Sequence, residues 1–339
     1  MNKLNLFDKL VFFFNSLAAF MLLLSYILPY IEPKKFAFLS VLSLGVPVLI
    51  LVNLLFLLYW LLKVKKQLLL SLIVLVLGYG NVISLYKFSA SKQIDDEQNI
   101  LVMSYNVRLF NAFEWLPERD INKQIEIFIK EKNPDVLCLQ DYRVDKEVSF
   151  DSYYKFENVS GDKVKNGQAI FSKYPIINSG SVKFPNTFNN AIFVDIVKKN
   201  DTIRIYNVHL QSLKIDVNNE EILNEASEKL VNSVSNTFKI QQEQTELFLK
   251  HKSQSPHKMI ICGDFNNTAY SYVYKQIKGD LQDTFVEAGN GFGRTYNFKF
   301  FPVRIDFILV DDAFEVNSFK TFDMELSDHY PVMSRVKVK

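Results

Sequence analysis

Cysteine, tryptophan and net charge are all scarce in this sequence. Its 339 residues include two cysteines and two tryptophans, and the formal net charge is only +2. Two cysteines exclude a disulfide-rich secreted scaffold, and the balanced charge excludes a strongly basic protein that coats nucleic acid. A hydrophobic content of 48% excludes a disordered chain. Cys138 and Cys262 each lie in an apolar run, so we expect buried core residues rather than a disulfide.

The hydrophobic residues are concentrated near the N-terminus. Charged clusters at 32–35 and 63–66 separate three apolar runs, which read approximately Leu10–Ile31, Phe36–Leu62 and Gln67–Tyr86. A helix that crosses a bilayer needs about 20 such residues, and each cluster lies where a helix would enter the headgroups. The sequence therefore predicts three transmembrane helices, which make residues 1–87 an integral membrane anchor. Because the runs contain hardly any ionisable residues, a transporter or channel is disfavoured.

The charges beside these runs indicate an orientation. Three spans would place the N-terminus and the C-terminal part on opposite sides of the inner or plasma membrane. The flanking lysines of the two sides are Lys3, Lys9, Lys63, Lys65 and Lys66 against Lys34, Lys35, Lys87 and Lys92. By a margin of one charge, the positive-inside rule favours an extracytoplasmic C-terminal part. Residues 88–98 lose the apolar pattern and are predicted to be a linker, and no protein partner is expected.

Residues 99–339 alternate short β-rich runs with polar helical stretches, which predicts a mixed α/β sandwich. Helical spacing is found over Glu118–Glu131 and Val217–Lys252. The candidate strands are Ile100–Asn106, Asp135–Gln140, Gly167–Ser172, Ala191–Lys198, Thr202–His209, Lys258–Cys262, Arg304–Val310 and Val332–Val338.

Polar side chains follow several of these strands at the point where each strand ends. They are Asn106, Gln140 with Asp141, His209 in Asn-Val-His, and Asp264 with Asn266 in Gly-Asp-Phe-Asn. Further along come Asp306 in Arg-Ile-Asp, and Asp328 with His329 in Ser-Asp-His. A single residue of this kind is usually a turn residue. Six such groups in one domain are hard to assign to turns, because loops beyond strand ends are where catalytic groups are commonly held.

Taken in order, these motifs resemble those of the endonuclease/exonuclease/phosphatase superfamily of metal-dependent phosphoesterases, in a membrane-anchored, bacterial-type member. The resemblance covers residues 99–339, and its most specific parts are Gly-Asp-Phe-Asn and Ser-Asp-His. It implies a DNase I-like, four-layer α/β sandwich with two mixed sheets face to face and helices outside. The motifs are Met103-Ser-Tyr-Asn106-Val, Asp135-Val-Leu-Cys-Leu-Gln-Asp141, Gly167-Gln-Ala-Ile-Phe-Ser-Lys-Tyr-Pro175, Asn207-Val-His209-Leu, Gly263-Asp-Phe-Asn266, Arg304-Ile-Asp306 and Ser327-Asp-His329.

The resemblance also implies a role for each residue. Asn106 and Asp141 would hold Mg²⁺ or Mn²⁺ beside a substrate phosphate, with Asp328 a further ligand. Asp264 would orient or deprotonate the attacking water. Asn266 and His209 would hydrogen-bond the phosphoryl oxygens. His329, oriented by Asp306, would stabilise the developing charge or help transfer the proton.

One residue departs from the family pattern. Members usually carry glutamate where this sequence has Asp141, which is one methylene shorter. A closer backbone, a bridging water or a weaker metal site would each accommodate it. Arg108, two residues past Asn106, has no role carried over, and both a solvent-exposed arginine and a phosphate contact stay open.

The sequence thus predicts a membrane-anchored, metal-dependent phosphoester hydrolase, and its substrate stays open. Nucleic acid, a phospholipid headgroup and a small phosphate ester all fit, although the C-terminal part has no basic excess for non-specific duplex binding. The alternative is a catalytically silent, membrane-anchored module that binds a phosphorylated ligand. Asp141 favours the silent module, whereas the complete set of the other motif residues favours the enzyme.

Overall fold

The N-terminal apolar runs fold into helices. The computed structural model describes residues 4–88, 92–161, 165–213, 227–298 and 301–339. Residues 89–91 of the predicted linker and 217–226 of the second predicted helix lie outside that description. The N-terminal helices are α1 (Leu6–Ser25), α2 (Pro33–Val41), α3 (Val46–Leu62), α4 (Leu68–Leu77) and α5 (Tyr79–Leu85).

Two of the three predicted spans form helices long and apolar enough to cross a membrane, Leu6–Tyr30 and Pro33–Leu62. The third run does not, because α4 and α5 are bent by 82°. With 10 residues, α4 alone covers about 15 Å at the helical rise of about 1.5 Å per residue. Within the described residues, two of the three predicted transmembrane helices are therefore found as candidate spans, and the bent pair is a third only if both halves count as one. The extracytoplasmic side, which needs an odd number of spans, stays a prediction.

The bend lies at Gly78, where two segments approach each other closely. A Cβ atom at this position would lie 2.1 Å from the ring of Tyr26, whose hydroxyl donates to the carbonyl of Val74 at 2.9 Å. Beyond the bend, Tyr270 of the C-terminal part donates its hydroxyl to the carbonyl of Asn81 at 3.2 Å. The bend therefore turns α5 onto the C-terminal part.

The N-terminal helices also contact the C-terminal part near the start of α2. The backbone N–H of Lys34 donates to the side chain of Gln242 at 2.8 Å, and the Lys34 ammonium lies 2.7 Å from the Glu246 carboxylate. A short strand β1 (Tyr86–Lys87) pairs with β11 (Gly291–Phe292). The helices thus pack on the domain that they precede and share a surface with it.

The C-terminal part contains two six-stranded mixed sheets. The strands are β2 (Ile100–Asn106), β3 (Val136–Tyr142), β4 (Tyr154–Ser160), β5 (Asn166–Ser172), β6 (Ile176–Lys183), β7 (Asn190–Lys198), β8 (Asp201–His209), β9 (Lys258–Asp264), β10 (Gln282–Asp283), β12 (Asp306–Val310), β13 (Phe314–Thr321) and β14 (Val332–Val338). In the first sheet, the strand order is β13-β14-β2-β3-β5-β4, and in the second it is β10-β12-β9-β8-β7-β6.

Each sheet has one parallel pair, β2 with β3 and β8 with β9. Parallel neighbours need a crossover connection, which α6 (Ile121–Lys132) supplies in the first sheet and α7 (Ser227–Lys252) in the second. The carboxyl ends of each pair therefore lie at one edge of their sheet. These ends carry the polar residues that the sequence places after strands.

The layers are held by three apolar clusters. One fills the space between the sheets and includes Cys138 and Cys262, which are buried free thiols as predicted. A second packs α6 on the first sheet, and a third packs α7, α8 (Tyr272–Lys278) and their neighbours on the second sheet. A short helix α9 (Thr284–Ala288) packs against the edge strand β13. The α/β fold with two mixed sheets between helices is thus confirmed.

Gly263 is the glycine on which the strand geometry depends most directly. Its φ is +143°, and a Cβ atom would lie 1.9 Å from the carbonyl oxygen of Val208 on the neighbouring strand. We expect Gly263→Ala to lower the free energy of unfolding by about 2 kcal/mol or more, because both backbone strain and a backbone clash result. Thermal unfolding of the solubilised protein measures this, with Gly80→Ala as control because a Cβ there meets nothing within 4 Å. Equal melting temperatures for the two variants would contradict the expectation.

Candidate active site

Strand register brings the polar strand ends of the second sheet together. Asp264, at the end of β9, pairs with His209 on the parallel strand β8 and with Asp306 on the antiparallel strand β12. From the first sheet, Asn106 donates its Nδ2 to Oδ2 of Asp264 at 3.0 Å. All four side chains are buried. The site therefore lies at the edge where the two sheets face each other.

The pair of His329 and Asp306 lies beside this carboxylate. The Nδ1 atom of His329 is 3.0 Å from Oδ2 of Asp306, and its Nε2 atom is 3.6 Å from Oδ2 of Asp264. Such a contact fixes the ring and favours a proton on Nδ1. The predicted orientation of His329 by Asp306 therefore has the geometry that it requires.

The charges of this cluster shift its pKa values. Burial raises the pKa of Asp264 to about 6, an effect that His329 opposes and the nearby Asp306 carboxylate reinforces. Burial alone would lower the pKa of His329, but Asp306 and Asp264 outweigh it and raise that pKa to about 10. Near neutral pH the cluster therefore pairs an imidazolium with a carboxylate that lies close to its titration range.

Asp141 reaches the site through an irregularity of β3. The pairing of β3 with β5 shifts register between Leu139 and Tyr142, and Asp141 has a φ of +42°. A bulge of this kind re-aims a side chain, and aspartate is among the residues that tolerate a positive φ. Oδ2 of Asp141 lies 3.4 Å from Nδ2 of Asn106. The shorter side chain thus occupies a backbone conformation that suits it better than it would suit glutamate.

His209 and Asn266 complete the ring of groups around Asp264. His209 places Nε2 at 3.7 Å from Asp264 and Nδ1 at 3.9 Å from Asp141. Asn266, with a φ of +49°, donates its backbone N–H to Oδ1 of Asp264 at 2.8 Å. Its Nδ2 donates to the carbonyl of Leu210 at 2.9 Å. Both residues line the cavity above Asp264, and their phosphoryl contacts stay a prediction.

Asp328 lies across the same cavity and pairs with Arg108, whose Nε is 3.3 Å from Oδ2 of Asp328. The arginine also lies 4.5 Å from the ring centroid of Trp115. Residues 108–111 all have positive φ values between 42° and 59°, a left-handed turn that is costly for L-residues. The sequence motifs assign no role to Arg108 and do not include Trp115. The only signal was the position of an arginine two residues after Asn106.

A buried polar network lies beneath the site and joins the two sheets. Gln140 donates Nε2 to Oδ1 of Asn207 at 2.6 Å, and Asn207 donates Nδ2 to the carbonyl of Leu139 at 2.8 Å. Because buried amides are costly unless hydrogen-bonded, this network fixes how the sheets meet. The amides of the Leu-Gln-Asp and Asn-Val-His motifs therefore hold the scaffold on which Asp141 and His209 are placed.

The donor atoms fit a hard divalent cation. Asp264, Asp306 and His329 offer ligand atoms within 4.8 Å of one another. The Asn106 amide and the Asp141 carboxylate lie beside them. Mg²⁺ and Mn²⁺ prefer such oxygen ligands. The Asp141 side chain is 40% exposed, so it can take up a ligand from solvent. The residues present can therefore hold a cation.

Comparison with known proteins decides the family. Residues 103–329 match the model of the Endonuclease/Exonuclease/phosphatase family. The chain belongs to this family. Residues 8–85 match a domain of unknown function (DUF8431), and no curated protein matches the sequence. The predicted resemblance is thus confirmed over most of the C-terminal part.

Solved structures of this fold resemble the chain at low identity. A humanised TDP2 from D. rerio shares 16% identity and a TM-score of 0.55, covering 71% of this chain and all of its own. The human Nocturnin catalytic domain with bound sulfate shares 17% with a TM-score of 0.54, covering 74% and 96%. A family protein from Bacteroides thetaiotaomicron shares 18% with a TM-score of 0.52, covering 71% and 98%. These likenesses show the fold.

The contact of Asp306 with His329 generates a test in the metal-free protein. We expect Asp306→Asn to lower the pKa of His329 by about 2 pH units, because the variant removes an adjacent opposite charge and leaves the burial in place. The measurement is a histidine nitrogen NMR titration of the solubilised protein. Asp312→Asn, at an exposed turn, is the control and should leave the titration unchanged. An unaltered pKa in Asp306→Asn would refute the coupling.

Proposed function

We propose that this protein is a membrane-anchored, Mg²⁺- or Mn²⁺-dependent phosphoester hydrolase that acts on a phosphodiester. The observation that carries the proposal is the meeting of Asn106, Asp264, Asp306 and His329 in one buried cluster. A phosphodiester is an anion, so its hydrolysis needs positive charge, an aligned water and a proton for the leaving oxygen. In this cluster, Asp264 is placed to align the water, and His329 is placed to supply positive charge and a proton.

The metal would be held by Asn106 and Asp141, with Asp328 as a further ligand. When bound, a divalent cation neutralises charge on the phosphate oxygens and orients the substrate. The contact of Asp328 with Arg108 gives this side of the cavity a cationic group besides the ion. Asn106 would then serve both sheets, since it also contacts Asp264.

The remaining groups act on the water, the phosphoryl group and the leaving oxygen. Asp264 accepts a proton from the attacking water, a role that suits a carboxylate whose pKa is raised to about 6. His329, held as an imidazolium by Asp306, stabilises the developing negative charge or protonates the leaving oxygen. His209 and Asn266 bind the phosphoryl oxygens. A positioned general acid or base contributes about 10²–10⁴ in rate.

Membrane anchoring belongs to the same proposal. The helices Leu6–Tyr30 and Pro33–Leu62 are long and apolar enough to span a bilayer, and many of their side chains are exposed hydrophobics. We place the protein in the inner or plasma membrane with the catalytic domain on the extracytoplasmic side. The contacts of Lys34 and Tyr270 across the two parts hold the domain against the membrane surface.

A catalytically silent, phospholigand-binding module is the second candidate, and the observation that favours it is Asp141 in place of the usual glutamate. Against it, the carboxylate of Asp264 is buried at a considerable electrostatic cost. A module that only grips phosphate has no use for this carboxylate. The buried carboxylate therefore favours an enzyme over a silent binding module.

The proposal predicts turnover that needs both the metal and Asp264. We expect the full-length protein to hydrolyse bis(4-nitrophenyl) phosphate with Mg²⁺ or Mn²⁺, and a chelator to stop the reaction. Asp264→Asn should lower kcat at least about 100-fold, because it removes the group that accepts the water proton. The measurement is the rate of nitrophenol release.

Asp312→Asn, which changes an exposed turn carboxylate in the same way, serves as the matched control with unchanged turnover. Rates that survive the chelator would contradict the metal assignment. Ligand binding without any turnover would favour the silent module.

A further inference from the structure

The cavity above the candidate site is built by both parts of the chain. Its volume is about 550 Å³, within the range of small-ligand pockets. Its lining includes the candidate catalytic groups, among them Asn106, Asp264 and His329. It also includes residues of the N-terminal helices and the turn before α3, namely Leu44, Pro47, Val48, Ser84 and Leu85. The candidate catalytic groups and a largely apolar wall therefore line one continuous cavity.

The C-terminal part continues the apolar wall. Tyr270, Phe292, Phe301 and Pro302 line the same cavity, and Tyr270 belongs to the apolar cluster that holds the N-terminal helices together. The apolar lining of the cavity is thus a surface to which both parts of the chain contribute, and the packing between the two parts keeps it in place.

Val48 belongs both to the cavity lining and to a candidate membrane span. It lies near the start of α3, in the apolar helix Pro33–Leu62, and is 52% exposed. The same side chain therefore lines the cavity and leaves apolar surface exposed on a helix that is long and apolar enough to cross a bilayer. The ring of Trp115, which is 42% exposed, also lines the cavity, and tryptophan is a residue type enriched at membrane interfaces.

The cationic side chains of the cavity are already in contact with other groups. Arg108 pairs with Asp328, Arg304 pairs with Asp283 at 2.7 Å, and Arg294 contacts Tyr330. No lysine is among the lining residues that the structure describes. Non-specific nucleic-acid binding draws on a track of basic side chains along many phosphates. The walls of this cavity suit a single phosphate with an apolar substituent better than a polyanion.

We infer that the substrate is an amphiphilic phosphoester, a lipid of the same bilayer that holds the N-terminal helices. Its phosphate lies at Asp264 and His329, and its hydrocarbon lies against Leu44, Pro47 and Val48. The lipid enters sideways from the membrane, so its apolar part need not cross water. This inference rests on the proposed function and adds the substrate class and the route of entry.

A series of water-soluble substrates tests the substrate class. The full-length protein in nanodiscs is assayed with 4-nitrophenyl alkyl phosphodiesters whose alkyl group is methyl, butyl or octyl, each below its micelle concentration. We expect kcat/KM to rise with chain length, by up to about fourfold for each methylene that the cavity removes from water. A kcat/KM that is equal from methyl to octyl would overturn the inference and leave the proposed function intact. No hydrolysis of any member with Mg²⁺ or Mn²⁺ would overturn both.

A variant pair locates the apolar subsite. Val48→Trp places a large ring at a position of α3 that lines the cavity. Leu58→Trp places the same ring at another exposed position of α3, outside the cavity lining. We expect the octyl-to-methyl ratio of kcat/KM to fall at least tenfold in Val48→Trp and to stay unchanged in Leu58→Trp. Equal ratios in the two variants would remove the subsite from this wall. Because each ratio is internal to one variant, a partial loss of folded protein does not alter it.

The source of the substrate is tested with phospholipid. Proteoliposomes that contain both the protein and a headgroup-labelled phosphatidylcholine are compared with protein in unlabelled liposomes mixed with separate labelled vesicles. We expect headgroup release only where protein and lipid share a bilayer. Equal release from both mixtures would show capture from water and overturn the lateral route. A hydrolysed alkyl series with no release from either mixture would overturn the assignment to a membrane phospholipid.

Discussion

A carboxylate buried between two sheets is the constraint on which this structure depends. Asp264 is almost fully buried, and an uncompensated charge there would be costly. The strand register sets His209 and Asp306 opposite it, Asn106 donates to it from the other sheet, and His329 lies nearby. His329 and His209 favour the charged form of Asp264, whereas the Asp306 carboxylate opposes it. The hydrogen bond from Asn106 persists only while both sheets keep their relative position. The geometry of the site therefore depends on the packing of the two sheets.

The N-terminal helices also contribute to the cavity at this site. The bend at Gly78 turns α5 toward the C-terminal part, and the contacts at Lys34 and Tyr270 hold the two parts together. As a result, the polar cluster opens into a cavity whose other wall is helical and apolar. An anchor that only kept the enzyme near a membrane would not need to contribute to that wall. In this account, the same helices fix the domain to the bilayer and bring the substrate to it.

The sequence predicted the central strands best, because they are largely buried apolar runs, four of which (β2, β3, β8 and β9) end in a polar motif. The predicted bounds of β2 and β14 agree with the structure at both ends. The edge strands β4, β6 and β13 were missed, and β4 and β6 in particular are half-exposed and lack such a run. The broken third span was also missed, since the close approach of Gly78 to Tyr26 is a contact between distant segments. The place of Arg108 depends on Asp328, more than two hundred residues away, and no local pattern reports it.

Direct localisation of a bound cation tests the central claim that these groups form one metal-dependent site. The measurement is anomalous diffraction at the manganese edge from crystals of the full-length protein grown with Mn²⁺. We expect a single strong peak at bonding distance from the oxygens of Asn106 and Asp141, in the cavity that Asp264 and His329 also line. A peak elsewhere, or none at Mn²⁺ concentrations that support turnover, would contradict it.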